Sequence, residues 1–191
     1  MKKILIIAFL FSSFLSAQTV IDSYPESNYG SAQLIYATGT VKEIGQSFTA
    51  IGLPLISSKF YLKKGGSPTG KIISYLYNHA GSYGSSSMPT GSPIAMSDSV
   101  DISGLTTENA LITFTFSTPY NLTNGSNYVI TVKYLSGDPS NNLYVGLRVG
   151  GASHSGNECY YTTSWYYNTN DLIFYVYGTS PTTFIPIITI D

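Results

Sequence analysis

The residues best equipped for molecular recognition lie close together near the carboxyl end. Asn157-Glu158-Cys159-Tyr160-Tyr161-Thr162-Thr163-Ser164-Trp165-Tyr166-Tyr167-Asn168 holds the only tryptophan of the chain, four tyrosines and flanking amides. Flat aromatic faces suit the C–H side of a sugar ring, while amides and carboxylates suit its hydroxyls. This chemistry places a candidate ligand site at Asn157, Tyr161, Trp165, Tyr166 and Asn168. A competing placement exists for Trp165. Large aromatics are mostly buried, so a lone tryptophan is expected to plug the core while tyrosines cover strand edges.

Other chemistry is sparsely provided. The only histidines are His79 and His154, and the only cysteine is Cys159, which excludes a Cys/His zinc cluster and an internal disulfide. No Gly-x-Ser-x-Gly elbow, metal-binding histidine pair or phosphate loop occurs. His154 has Ser153 and Ser155 as sequence neighbours, which does not supply a triad geometry. The expectation is therefore a protein that is not an enzyme. Calcium is the one cofactor the residues suggest, as a structural ion. Asp22-Ser23-Tyr24-Pro25-Glu26-Ser27-Asn28 gathers oxygen donors, and Asp98 and Asp101 straddle a second turn, although neither has EF-hand spacing.

These residues are carried on a chain of 191 residues, long enough to bury one substantial core. Charged residues make up only 10% against 43% hydrophobic, which argues against disorder. A net charge of −1 leaves no electrostatic footprint for nucleic acid. Residues 1–17 begin Met-Lys-Lys, continue through the apolar run Ile4 to Phe11, and end in the small-residue exit Ser16-Ala17. Basic start, short apolar stretch and small exit together predict a secretory signal peptide cleaved after Ala17. Without Lys2 and Lys3 the nine basic residues fall to seven against ten acidic, a formal −3. No membrane span is expected in the mature chain, and its predicted location is secreted or cell-surface.

From Gln18 on, apolar residues alternate by two, and no long window repeats them at three and four. Lys71 to Tyr77 aligns Ile73, Tyr75 and Tyr77; Leu111 to Phe116 aligns Ile112, Phe114 and Phe116. Tyr128 to Leu135 aligns Tyr128, Ile130, Val132 and Tyr134, and Leu172 to Tyr177 is apolar on both faces. Weaker strands are expected at 34–37, 45–50, 58–62, 97–102 and 143–149, with a long Gly/Ser/Pro loop from Gly81 to Pro93. Nine or ten short strands without helical crossovers predict an all-β, antiparallel two-sheet sandwich of jelly-roll type over 18–178.

The order of several short patterns carries a resemblance. Gly45-Gln46-Ser47-Phe48-Thr49 is followed by Phe60-Tyr61-Leu62-Lys63-Lys64-Gly65 and Pro68-Thr69-Gly70. Leu122, Gly125 and Tyr128 come next, then Asp171-Leu172, Phe174 and Tyr177-Gly178. Over Asp22 to Gly178 this resembles the jelly-roll β-sandwich modules of many poorly characterised secreted or surface proteins of bacteria, archaea and phages. The resemblance implies a carbohydrate-binding-module-like architecture and an extracellular role, and it carries no catalytic residues.

Beyond Gly178, a short linker leads into Phe184-Ile185-Pro186-Ile187-Ile188-Thr189-Ile190-Asp191. An apolar segment of this kind is an aggregation hazard unless it is covered. It can fold back as a last strand, or Phe184, Ile185, Ile187, Ile188 and Ile190 can be donated to a neighbouring copy. Low charge, absent catalytic patterning and this tail predict a structural or surface protein that associates with itself, in rings or fibres. The alternative is a carbohydrate-binding or adhesion module using the Trp165 region. The expected partners are other copies of the chain, or glycans.

Overall fold

The computed structural model describes residues 18–150 and 153–180. The expected export segment and the tail residues Phe184, Ile185, Ile187, Ile188 and Ile190 lie outside them. Sheet A contains β1 (Gln18–Tyr24), β2 (Ser31–Ile35), β4 (Pro54–Gly65), β8 (Ala110–Asn121), β10 (Asn142–Arg148), β13 (Asp171–Leu172) and β14 (Phe174–Thr179). Sheet B contains β3 (Glu43–Thr49), β5 (Lys71–Ala80), β6 (Met88–Met96), β7 (Val100–Asp101), β9 (Asn127–Tyr134), β11 (Glu158–Tyr161) and β12 (Trp165–Tyr167). Every pairing is antiparallel. The two-sheet jelly-roll sandwich expected from the alternation is the fold. Among the described residues a 3-10 turn at Glu26–Asn28 is the sole helical element, and no helix there could cross a membrane.

The period-two pattern holds on the inner faces, although β5 turns Ile72 and Leu76 into the core and the aligned stripe Ile73, Tyr75 and Tyr77 outward. Tyr128, Ile130, Val132 and Tyr134 of β9 are all buried, as are Ile44 and Phe48 of β3 and Ile72 and Leu76 of β5. Opposite them stand Phe60 and Leu62 of β4, Phe114 and Phe116 of β8, Val145 of β10, and Phe174 and Val176 of β14. The rings of Phe60 and Phe114 meet edge to face, with centroids 5.9 Å apart. Fully burying such side chains stabilises the fold by about 1.5–3 kcal/mol each. Several polar groups inside are matched: the Ser58 and Ser74 hydroxyls bridge the two sheets at 2.9 Å, and the Tyr134 hydroxyl donates to the Thr69 carbonyl at 2.7 Å.

Sheet A is held by β4. One of its edges pairs with β8; the other is shared, with β14 along Leu55–Phe60 and β10 along Leu62–Gly65. The switch occurs at Ile173, whose N–H donates to the Gly146 carbonyl (2.9 Å) and whose carbonyl accepts from the Tyr61 N–H (3.3 Å). The expected strand Leu172–Tyr177 is therefore two strands.

Fourteen strands form among the described residues, more than the nine or ten expected. The segment read as a loop, Gly81 to Pro93, contributes the first part of β6. Pro89 and Pro93 are tolerated because β6 pairs only with β5 and lies at the edge of its sheet. The segment 97–102 is mostly irregular, retaining only the two-residue β7. Asp22, read as part of a turn, lies within β1.

Candidate functional site

The outer face of sheet B is a concave surface with aromatic walls, built row by row from strand register. Trp165 of β12 pairs with Tyr161 of β11, which pairs with Glu43 of β3, then Lys133 of β9 and Ile73 of β5. The next row runs Tyr167, Cys159, Gly45, Thr131, Tyr75 and Met96. Ser47, Val129 and Tyr77 form the third. All of these side-chain positions point away from the sandwich core. The glycine at 45 is required by close approach. A Cβ there would lie 2.6 Å from Thr131 Cγ2 and 2.7 Å from the Ile130 carbonyl oxygen.

Sheet B curls until its outermost strands, β12 and β6, bring Cα atoms within 8 Å of one another. A bulge closes the remaining gap. Asn78 pairs with Thr90 and Leu76 with Ala95, so residues 91–94 bow out opposite Tyr77. Gly91 takes a positive φ of 70° at the start of this bow. Gly91, Ser92 and Pro93 thus form one wall, and Tyr161 and Trp165 the other, of a cavity of about 260 Å³. Its floor is Glu43, Tyr77 and Lys133.

Beneath the aromatic wall a small second core forms, separate from the one between the sheets. Tyr77, Val129 and Cys159 are buried there, with Tyr75, Met88 and Trp165 packed on them. Trp165 meets Tyr77 edge to face at 5.7 Å and Tyr161 at 5.4 Å. The expectation that Trp165 plugs the sandwich core does not hold: its ring is half-buried and lines the groove. Burial pushes the Cys159 thiol well up, so it packs as a small hydrophobe.

Glu43 is the electrostatic centre of the floor. Its Oε1 accepts from the Thr131 hydroxyl at 2.6 Å and the Tyr77 hydroxyl at 3.1 Å. Its Oε2 faces Lys133 Nζ at 3.7 Å, an ion pair longer than a hydrogen bond. Burial raises the Glu43 carboxyl above its ordinary range, with Thr131, Lys133 and Tyr77 opposing the rise. Burial, and then the Glu43 charge, raise the Tyr77 phenol. That phenol stays protonated and donates. The floor therefore offers a carboxylate acceptor and an ammonium donor between three aromatic rings.

Of the five residues singled out by sequence, two reach this groove, Tyr161 and Trp165. Asn157 is buried: its side-chain carbonyl accepts from the Ser87 N–H (3.1 Å) and its amide donates to the carbonyls of Glu158 (2.8 Å) and Ser87 (3.3 Å). It ties the approach to β11 onto the approach to β6. Tyr166 alternates to the other side of β12 and stacks on Tyr160 at 5.6 Å, while Asn168 is exposed and caps the Thr169 N–H at 2.8 Å. Sequence reasoning missed Glu43, Tyr77, Lys133 and the bulge at 91–93. The outward stripe Ile73, Tyr75, Tyr77 was the available signal, since it shares β5 with the inward pair Ile72 and Leu76.

A second polar cluster lies at the other end of the sandwich. His154 Nδ1 accepts from the Gly156 N–H (3.0 Å) and lies 3.2 Å from Gln46 Nε2, so Nε2 carries the proton toward Asp22 Oδ1 at 3.0 Å. Asp171 accepts from Gln46 Nε2 (2.8 Å) and the His154 N–H (3.0 Å), and Phe174 and Tyr24 present ring contacts to the imidazole. Neither ring nitrogen carries a serine hydroxyl, so the cluster has the orienting half of a triad without its nucleophile. The carboxylates read as calcium candidates are spread over separate partners. Asp22 serves His154, Glu26 accepts from the Tyr175 hydroxyl at 2.6 Å, Asp98 accepts from the Ser117 hydroxyl, and Asp101 pairs with Lys71 at 3.4 Å. Among the described residues no three His, Cys, Asp or Glu side chains are grouped to share a metal.

No protein-family model and no curated protein matches the chain. Among solved structures it is similar to the cysteine protease and lectin-like domains of Cwp84, a surface-layer-associated protein of Clostridium difficile. The two share 14% identity at a TM-score of 0.46, over 83% of this chain and 37% of that one.

Proposed function

We propose that this chain is an extracellular β-sandwich module that binds carbohydrate, seating a sugar ring in the groove of sheet B. The observation that carries the reading is the groove itself. Trp165, Tyr161 and Tyr77 line one open pocket together with a buried carboxylate and a half-exposed ammonium. Apolar ring faces offer contact to C–H groups, and the Glu43–Lys133 pair offers an acceptor and a donor to hydroxyls. The basic start, short apolar run and small-residue exit of residues 1–17 support the extracellular part of the reading. Retention of the full chain on an immobilised glycan panel tests the reading. Trp165→Ala and Lys133→Ala should lose the glycan that the unaltered chain retains; failure of every glycan, or retention by both variants, overturns it.

A second reading, self-association through Phe184, Ile185, Ile187, Ile188 and Ile190, has one structural support. Among the described residues β1 pairs only with β14, and its other edge has no partner strand there. β14 ends beside Gln18, where the tail begins. An open edge accepts an added strand. Sedimentation of the full chain against one ending at Ser180 tests this reading: assembly lost on truncation supports it, and a monomeric full chain at high concentration removes it.

A further inference from the structure

The outer face of sheet A, on the opposite side of the sandwich from the groove, carries tyrosines and cations in paired positions. β4 points Lys59, Tyr61 and Lys63 outward, and register sets Tyr175 beside Lys59 and Tyr144 beside Lys63. Lys59 Nζ lies 5.1 Å from the Tyr177 ring centroid, and Lys63 Nζ lies 5.6 Å from that of Tyr144. Tyr175 and Tyr177 lie parallel, with centroids 5.9 Å apart and planes 9° apart. Gly146 keeps the centre flat, because a Cβ there would lie 2.9 Å from the Tyr61 ring.

We propose that this face is a second binding surface, for an anionic polysaccharide of the uronic-acid class. The argument is charge complementarity. Lys59, Lys63 and exposed Arg148 make three of the seven basic residues beyond residue 17, on a chain with more acidic than basic groups. Among the described residues, none of the three has a carboxylate within ion-pairing distance, and Glu26 at the rim is engaged by the Tyr175 hydroxyl. Both ammonium groups already rest over aromatic rings, so ordering them on binding costs little further entropy. Lys59 and Lys63 are four residues apart on one strand, about 13 Å at the usual rise, which suits a ligand with repeating charge. A sugar chain fits better than single-stranded nucleic acid. Base stacking needs open ring faces, whereas Lys59 and Tyr175 cover Tyr177, and Tyr29 meets Tyr61 edge to face at 5.5 Å.

The test is affinity electrophoresis of the full chain in gels containing polygalacturonate, neutral dextran or oligothymidylate. Polygalacturonate should retard the chain, with retardation falling at least tenfold between low and high salt. Lys59→Gln with Lys63→Gln should abolish retardation at an unchanged melting temperature, and Lys59→Arg with Lys63→Arg should restore it. Trp165→Ala should retain it, which separates this face from the groove. No retardation by polygalacturonate, equal retardation by dextran, tighter retention by oligothymidylate, or full retardation of the glutamine variant would each overturn the proposal.

Discussion

Replacing Glu43 by glutamine should leave the protein as stable as before or more so, although it removes the only buried partner of Lys133 in the groove. The Lys133 side chain is 38% exposed, so the ion pair at 3.7 Å contributes no more than about 0.5 kcal/mol. Against this stands the burial of a carboxylate that is 3% exposed. Losing one partner of a buried pair is costly when it strands the other charge in the interior, but Lys133 keeps its access to water, and a neutral amide costs less to bury than a carboxylate. Glutamine keeps an oxygen for the Thr131 and Tyr77 hydroxyls, so the two deepest hydrogen bonds survive. The net expectation at pH 7.5 is between no change and a gain of about 1 kcal/mol, or about 2–4 °C in Tm for a chain of this size. Glu43→Leu is the matched control. It leaves the Tyr77 hydroxyl without an acceptor, while Thr131 retains only the Tyr75 carbonyl at 3.4 Å. An unmet buried hydroxyl costs about 1–3 kcal/mol, so the leucine variant should melt several degrees lower. Thermal unfolding followed by circular dichroism measures both. If glutamine destabilises as much as leucine, the carboxylate charge is needed for the fold and the desolvation argument is wrong.

Burial raises the carboxyls of Glu43, Glu158 and Asp171 above their unfolded values. The folded chain therefore holds extra protons above about pH 4, and stability should fall as pH rises through that window. Burial lowers the His79 imidazole, which makes stability rise with pH in the same window, so the carboxyl contribution is read by difference: Tm should fall more, or rise less, from pH 5 to pH 7.5 in the unaltered chain than in Glu43→Gln, and an identical profile in the two contradicts the assignment. Asn157→Ala orphans the buried Ser87 N–H and should cost about 2–3 kcal/mol in denaturant unfolding, whereas a change below about 0.5 kcal/mol would mean water replaces the amide. Gly45→Ala forces a Cβ against Thr131 and the Ile130 carbonyl, and should lower stability and widen the β3–β9 pairing, seen as faster amide exchange there.

Alternation in the sequence located the central strands because their inner faces are uniformly apolar; β9 is the clearest example. It could not say which apolar face of β5 looks inward, since Ile72 and Leu76 cover one side and Tyr75 and Tyr77 the other. That choice depends on where the second sheet lies, which is a long-range fact. β6 stayed hidden because its Pro and Gly residues mark loops locally, and only its edge position makes them acceptable. The aromatic density at 157–168 pointed to the right strands, yet strand parity and hydrogen bonding divide those residues between groove, buried tie and open surface. Glu43 and Lys133 lie 90 positions apart in sequence and meet only through β3–β9 register. No local pattern announces that pair.

The chain contains a single tryptophan, and that tryptophan lines the groove, so its fluorescence reports the central claim directly. Titrating the full chain with neutral hexose oligosaccharides, one series at a time, should produce a saturable blue shift and change in intensity for at least one series. The same series should protect Trp165 from acrylamide quenching. Glycan retention with no spectral change, or emission unaltered by every series, would contradict a sugar seated against Trp165.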